Sequence, residues 1–389
     1  MSGDLQTARR IASEVDPERL RRDLLDMLRI PSPPEHEREV SEHYAGILRR
    51  SGVDVELDEE IPASPTVIGR LQGKAGGPTL QLDGHTDTIA APGPEVRCEG
   101  DWIYGRGACD MKAGLVAMAE AARVIVNSGV KLNGNLLLTA HGLHEPGTNE
   151  TLESLIDRGV HGDAVIVTEG FGERLPLVGM GLAIWELSFS REGEAVHENS
   201  APEGTPHPLR AGVRAASLLE KRSQVLAAKD LEHLGPESIF IGKFQCGDYF
   251  NRVPTSCTLA GSRRFGPDSL LADMRGEFED LAREVGTEFG LEGGVSIRGL
   301  ESYRAAEDEA IVEAVRWAHR EVRGQDMVIC GLRSVGNVSN FVRSAGVPAV
   351  YCGVSLDTAH SDNERTSLSE LMEVTRIYVH AVLGYLGVV

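Results

Sequence analysis

Five residues, spread widely along this chain, are of types that bind divalent ions: His85, Asp110, Glu145, Glu169 and His360. Three of them follow or end short apolar runs. His85 comes directly after TLQLDG, Glu145 shortly after NLLLTA, and Glu169 closes AVIVTE. Imidazole nitrogen and carboxylate oxygen, without thiolate, suit Zn²⁺, Mn²⁺ or Co²⁺ better than an iron–sulfur centre. In GHTD, His85 and Asp87 are two apart and share a side where the chain is extended. A carboxylate beside a ligand histidine fixes its tautomer and raises its basicity. Taken singly, each acidic residue is more often a solvated surface charge. Spacing alone divides His85 evenly between a metal ligand and an ordinary hydrogen-bonded histidine.

The elements that must gather these residues can be read from periodicity. Residues 16–29 carry Leu20, Leu24, Leu25 and Leu28 at helical spacing, and Pro31, Pro33 and Pro34 stop that helix. Residues 36–51 repeat the amphipathic pattern, and 112–128 are Ala-rich and apolar, a buried helix. Segment 79–84 alternates apolar and polar residues up to Gly84, a strand pattern, and the short apolar runs 135–140, 164–169 and 347–353 read as strands buried on both faces. Alternating with helices, they predict an α/β fold with a mostly parallel sheet. In open sheets of this kind ligands gather beyond the carboxyl ends of the strands. The middle of the chain differs. Strands at 182–190, 237–245, 256–263 and 294–300 and helices at 207–221 and 267–288 follow the order βαββαβ, a ferredoxin-like pattern. The helical pattern resumes at 308–323. The expectation is a catalytic domain of 1–179 and 303–389, interrupted by an inserted domain of 180–302.

Composition narrows the function classes. The 389 residues are 41% hydrophobic and 25% charged, which supports a sizeable core and excludes global disorder. Lys plus Arg is 39 against 59 Asp plus Glu, a formal charge of −20. That excess argues against nucleic acid or an anionic membrane surface as a partner. No run approaches the length of a transmembrane helix, and the charged N-terminus lacks a signal-peptide pattern. Six scattered cysteines without a CxxC pair read as reduced thiols in a cytoplasmic protein. No GxGxxG follows the early strands, so a dinucleotide enzyme is disfavoured.

Over nearly its whole length the chain resembles the zinc-peptidase family of aminoacylases, carboxypeptidase G, acetylornithine deacetylase and succinyl-diaminopimelate desuccinylase. LDGHTDT (82–88) is similar to that family's first metal motif, and YGRGACDMKAGLVA (104–117), the most specific match, to its second. VIVTEG (165–170) and TAHSDNE (358–364) resemble the later ligand motifs. AVHENSAPEGTPHPLRA (195–211) and NRVPTSC (251–257) resemble motifs of the family's inserted domain. The resemblance implies one or two Zn²⁺ ions per subunit, Mn²⁺ or Co²⁺ being possible. Asp110 would bridge them, His85 and Glu169 would hold one, and Glu145 and His360 the other. Asp87 would orient His85, and water activated by the metals would be the nucleophile. The resemblance also implies a cis peptide between Asp110 and Met111, a second-sphere role for Glu364 beside His360, and a homodimer formed through the inserted domain. His197, reaching across from the partner subunit, would stabilise the oxyanion. Asn251, Arg264 and Arg333 would contact substrate, either arginine by pairing with a substrate carboxylate.

The chain departs from the family where an Asp–Glu–Glu segment is expected. It has TAHGLHEPGTNE (139–150) instead. One fit keeps Glu145 as ligand and puts His144 in the place of the general base; an imidazole, with its reference pKa near about 6.5, suits that task. A second makes Glu145 the base, with a single metal or a ligand drawn from His141 or His144. A third leaves both histidines as loop caps. The expected function is metal-dependent hydrolysis of a C–N bond, the amide of an N-acyl amino acid or small peptide. Alternatives are a non-peptide C–N bond, such as an aryl amine or ureido group, and a relative that binds metal or ligand without catalysis.

Overall fold

The computed structural model describes residues 2–147 and 149–389, and these fall into two compact units. The first comprises Met1–Leu177, Ala305–Cys330 and Asn340–Val389, and the second Val178–Arg304 and Gly331–Ser339. The segment Gly331–Ser339 therefore belongs with the inserted unit, outside the span 180–302. Arg333 explains part of this: its guanidinium donates to the carbonyls of Leu234 and Pro236.

The first unit is built on a six-stranded sheet. Its spatial order is Asp54–Asp58, Thr66–Leu71, Asn135–His141, Thr79–His85, Ala164–Val167 and Ala349–Tyr351. The last four are mutually parallel, and the first two run antiparallel at one edge. The parallel strands are buried along most of their length, as their continuous apolar runs require. Helix Lys112–Asn127 is buried on nearly all sides and contacts Leu368–Leu386, itself an apolar helix. Together with Ser2–Ala12, Pro17–Leu28 and Ala310–Arg323 they belong to one continuous core.

The second unit has the order strand Gly181–Ser190, helix Pro208–Ala227, strands Ser238–Cys246 and Ser256–Phe265, helix Leu271–Phe289 and strand Glu292–Leu300. This is the βαββαβ pattern. The four strands form one antiparallel sheet with Ser238–Cys246 and Glu292–Leu300 at its edges. Gly181–Ser190 alternates buried and less buried residues down its length, and Trp185 stacks on Phe278 of helix Leu271–Phe289. Among the described residues no helix is long and apolar enough to cross a membrane.

Candidate metal centre

The five residues singled out in the sequence converge in the first unit. His85 is the last residue of strand Thr79–His85, whose register puts it opposite His141 at the end of the neighbouring strand. Glu145 and His144 lie in the turn just beyond that second strand, and Glu169 lies two residues beyond Ala164–Val167. Three parallel strands thus deliver their donors at one end of the sheet. Asp110 stands just before helix Lys112–Asn127, and the Asp110–Met111 peptide is cis. His360 sits in the loop after Ala349–Tyr351 with φ at +62°.

Asp110 occupies the middle. Its Oδ1 lies 3.2 Å from His85 Nε2 and its Oδ2 3.1 Å from His360 Nε2. His85 Nε2 also lies 3.2 Å from Glu169 Oε1, and His360 Nε2 3.2 Å from Glu145 Oε1. His144 stacks on His85 with ring centroids 4.2 Å apart, its Nε2 3.6 Å from Glu169 Oε1. Two sets of donors, His85 with His144 and Glu169, and Asp110 with Glu145 and His360, each lie within 4.8 Å of one another.

The donor chemistry fits divalent cations. His85 Nδ1 faces Asp87, 3.0 Å from its carbonyl and 3.3 Å from its Oδ1. With the Nδ1 proton directed there, the Nε2 lone pair points at the carboxylates of Asp110 and Glu169. That arrangement is repulsive unless the ring is protonated or a cation lies between. Burial would depress the His85 imidazole, but Asp110, Asp87 and Glu169 outweigh it and hold it well above its ordinary pKa. Burial opposes ionisation of Asp110 as well, yet His360 and His85 hold its carboxyl well below the usual range. Burial, with Asp110 and Asp87 adding to it, pushes Glu145 up to about 7 against the pull of His85 and His360. Contact with Asp110, reinforced by Glu145, raises His360 to about 9 despite its partial burial. Burial and the neighbouring His85 lower His144, so its imidazole favours the neutral, proton-accepting form.

Backbone-binding carboxylates, which leave no spacing signal in the sequence, hold this cluster in place. Glu364 is fully buried, and its Oε1 accepts the N–H groups of Gly107, Cys109 and Asp110 while Oε2 takes Arg106 at 2.6 Å. It therefore grips the loop that carries Asp110; the contact with His360 expected from the sequence is replaced by this one. Asp87 also accepts the Glu145 N–H at 2.8 Å, so it touches both His85 and the turn opposite. His141, the other histidine of HGLHE, is buried with its Nε2 3.4 Å from Asp83 Oδ2, on the strand side of the turn.

The remaining candidates lie in the second unit. His197 and Asn251 are brought together, the Asn251 amide lying 3.1 Å from His197 Nε2, and His197 Nδ1 accepts the Asn199 N–H. Arg264 is half-buried; burial and the nearby Arg333 both lower its pKa, and its Nη1 meets no acceptor among the described residues. Its neighbour Arg263 is the buried arginine of that strand, paired with Glu237 at 2.8 Å.

A mixed sheet with donors at its strand ends and a βαββαβ unit defines a known class of hydrolase. The chain belongs to peptidase family M20/M25/M40, whose sequence profile matches residues 82–384. It is 25% identical to the N-formyl-4-amino-5-aminomethyl-2-methylpyrimidine deformylase of Bacillus subtilis, over 91% of each chain. It is 28% identical to the succinyl-diaminopimelate desuccinylase of Alkalilimnicola ehrlichii, over 82% of this chain and 88% of that one. In fold it is similar to aminopeptidase PepT of Bacillus cereus, with a TM-score of 0.80 at 19% identity over 95% and 99% of the two chains. It is also similar to the Bacillus subtilis YXEP protein, described as a dinuclear metal binding peptidase, with a TM-score of 0.70 at 15% identity over 96% and 99%.

Proposed function

We propose that this hydrolase cleaves the amide of a small N-acyl amino acid or peptide at a two-metal centre. His85 and Glu169 would hold one ion, Glu145 and His360 the other, with Asp110 between them. The observation that carries this reading is the placement of the two Asp110 oxygens, each about 3 Å from the Nε2 of a different histidine. Divalent ions held there would polarise the carbonyl and acidify water; zinc is the first choice for such a donor set, with manganese or cobalt as substitutes. His144 takes the proton of the attacking water and returns it to the departing nitrogen. The C–N bond then breaks to a carboxylate and an amine. Asp87 keeps the His85 Nε2 lone pair directed into the site. Formyl and succinyl amides head the substrate panel, because those are the acyl groups that the two curated relatives' names carry.

Further parts of the proposal concern the second unit. Arg264 or Arg333 is assigned to a substrate carboxylate; the unpartnered Nη1 of Arg264 favours Arg264, because both terminal nitrogens of Arg333 already donate to backbone carbonyls. Asn251 and His197 are assigned to the substrate carbonyl, both supplied by a partner subunit, since the two side chains touch each other. Pairing of two copies through this unit is supported by apolar side chains left in solvent: Leu209 and Val213 on helix Pro208–Ala227, and Phe240 and Phe244 on the edge strand beside it. The cytoplasm, with its reduced thiols, is the proposed location.

A second reading has an observation of its own. His144 Nε2 lies among the donors formed by His85 and Glu169, a position open to a ligand, which would leave Glu145 as base. Metal content separates the two. In the first reading His144→Ala keeps two ions and loses turnover; in the second it loses an ion. The function itself is tested with a panel of formyl, acetyl and succinyl amides, dipeptides and ureido compounds against the zinc-loaded protein. Release of amine and carboxylate supports it, release of ammonia favours a ureido or aryl amine substrate, and bound metal without any hydrolysis overturns it.

A further inference from the structure

The turn bearing His144 and Glu145 has an unusual shape. Leu143 is buried in the left-handed region at φ +57°, a conformation that costs a branched residue energy and needs outside support. Part of that support comes from Glu37, about a hundred residues away in sequence. Glu37 Oε1 accepts the Leu143 N–H at 3.1 Å, and Oε2 accepts the Ser64 hydroxyl at 2.6 Å. Glu37 stands at the N-cap of helix Arg38–Arg50, yet its side chain caps none of that helix's amides; the carboxylate bridges the Ser64 hydroxyl and the turn. Gly142 makes room for it, since a Cβ there would sit 2.7 Å from Glu37 Oε1. Two residues on, Asp87 Oδ2 accepts the Glu145 N–H at 2.8 Å. The amides on either side of His144 are therefore held by carboxylates from two other segments. From the opposite side Thr151 donates to the Gly142 carbonyl and the Asn149 N–H to the Leu143 carbonyl, 3.1 Å away.

We infer that Glu37 is a positioning residue of the active centre: by clamping the Leu143 amide it aims His144 and Glu145 into the site. This rests on the proposed roles of those two residues. Its nearest rival is a purely structural role, in which Glu37 merely joins the loops at Ser64 and Leu143. The two differ in what Glu37 variants do to each ion separately.

The test is zinc titration of wild type, Glu37→Ala and Glu37→Gln against a chromophoric chelator, with Glu145→Ala marking which ion depends on Glu145. Glu37→Ala is expected to weaken that ion alone by about 10–100-fold, the usual cost of losing an outer-shell partner. Glu37→Gln keeps an acceptor for Leu143 and is expected within about threefold of wild type for both ions. Should Glu37→Ala fail to fold, Glu37→Asp withdraws the acceptor by one methylene and takes its place. Equal affinities in Ala and wild type would overturn the inference, as would a parallel fall of both affinities that Gln does not rescue. Amide hydrogen exchange in the metal-free proteins judges Glu37 independently of the metal reading: Leu143 and Glu145 should exchange at least about tenfold faster in Glu37→Ala than in wild type or Glu37→Gln. Unchanged exchange contradicts the clamp. A wild type that takes up no zinc while exchange follows this pattern sinks the metal reading and leaves the clamp standing.

Discussion

At the scale of single residues, proton transfer in the proposed reaction falls to His144, in place of the glutamate that the family resemblance leads one to expect. With the ring stacked on His85 and its pKa lowered by burial, the imidazole is held in the neutral form that a general base requires. Replacing it with Ala should lower kcat by about 10²–10⁴, the usual contribution of a general base, with two zinc ions still bound. Steady-state kinetics beside metal analysis checks this, and unchanged turnover would remove His144 from the mechanism. His144→Glu, which restores the family's acidic type, should recover part of the loss. The ligand candidates were legible because each sits just beyond an apolar run or within a compact motif. Glu37, Glu364 and the second contact of Asp87 were not legible as supports of the turn and loop. They act on backbone N–H groups, which every residue presents alike, so no pairing of residue types records them. Glu364, expected beside His360, instead binds the amides of Gly107, Cys109 and Asp110 itself.

At the scale of elements, the centre depends on how closely strand and helix approach. A Cβ on Gly84 would fall 2.6 Å from Met111 Cε, 2.8 Å from Leu115 Cδ2 and 2.9 Å from Thr168 Oγ1. One on Gly114 would fall 2.3 Å from the Thr168 carbonyl oxygen. Gly114→Ala should therefore push helix Lys112–Asn127 off its neighbour, costing about 1–3 kcal/mol as overpacked cores do, and reduce zinc affinity with it because Asp110 and Glu169 flank that contact. Denaturant unfolding beside metal titration measures both. In the second unit Arg263 is 2% exposed and depends on Glu237. Burial of Glu237 disfavours its charge, but Arg263 and the Gly266 N–H outweigh that and hold its carboxyl below the ordinary range. Glu237 therefore binds fewer protons folded than unfolded. Its contribution is present at neutral pH and is lost as the pH falls through the lowered folded value. Glu237→Ala should cost about 1–3 kcal/mol at neutral pH, because Arg263 then keeps only the more distant Glu277, 3.7 Å away, and the difference from wild type should narrow in acid. A constant difference across that range would contradict the pairing.

The same scale shows where periodicity succeeds and fails. The βαββαβ unit was readable because its first strand, Gly181–Ser190, alternates strictly and its helices keep one polar face. Helix Leu368–Leu386 was not, since it is buried around most of its circumference and only a narrow stripe with Ser369, Glu373 and Arg376 is polar, which blurs the 3.6-residue repeat. The hairpin of Asp54–Asp58 and Thr66–Leu71 makes the sheet mixed at one edge. Strand direction there depends on pairing partners, which a local pattern does not encode.

At the scale of the whole molecule, removing metal should leave Asp110, Glu145 and Glu169 crowded and unscreened. A chelator should lower the melting temperature, and zinc should restore it; ion at a hundred times its dissociation constant stabilises by about 2.7 kcal/mol. If His197 serves the partner's site, mixing His197→Ala with His360→Ala subunits should regain about one quarter of wild-type activity, because half of the randomly formed dimers then hold one intact site. No recovery would place His197 in its own subunit's site, and full activity of His197→Ala by itself would place it outside the chemistry. The measurement that bears most directly on the account is anomalous diffraction from the zinc-loaded protein at the metal edge. Two peaks are predicted in the first unit, both bounded by Asp110, one completed by His85 and Glu169 and the other by Glu145 and His360. Zinc seated away from these side chains, or no zinc at all, would contradict it.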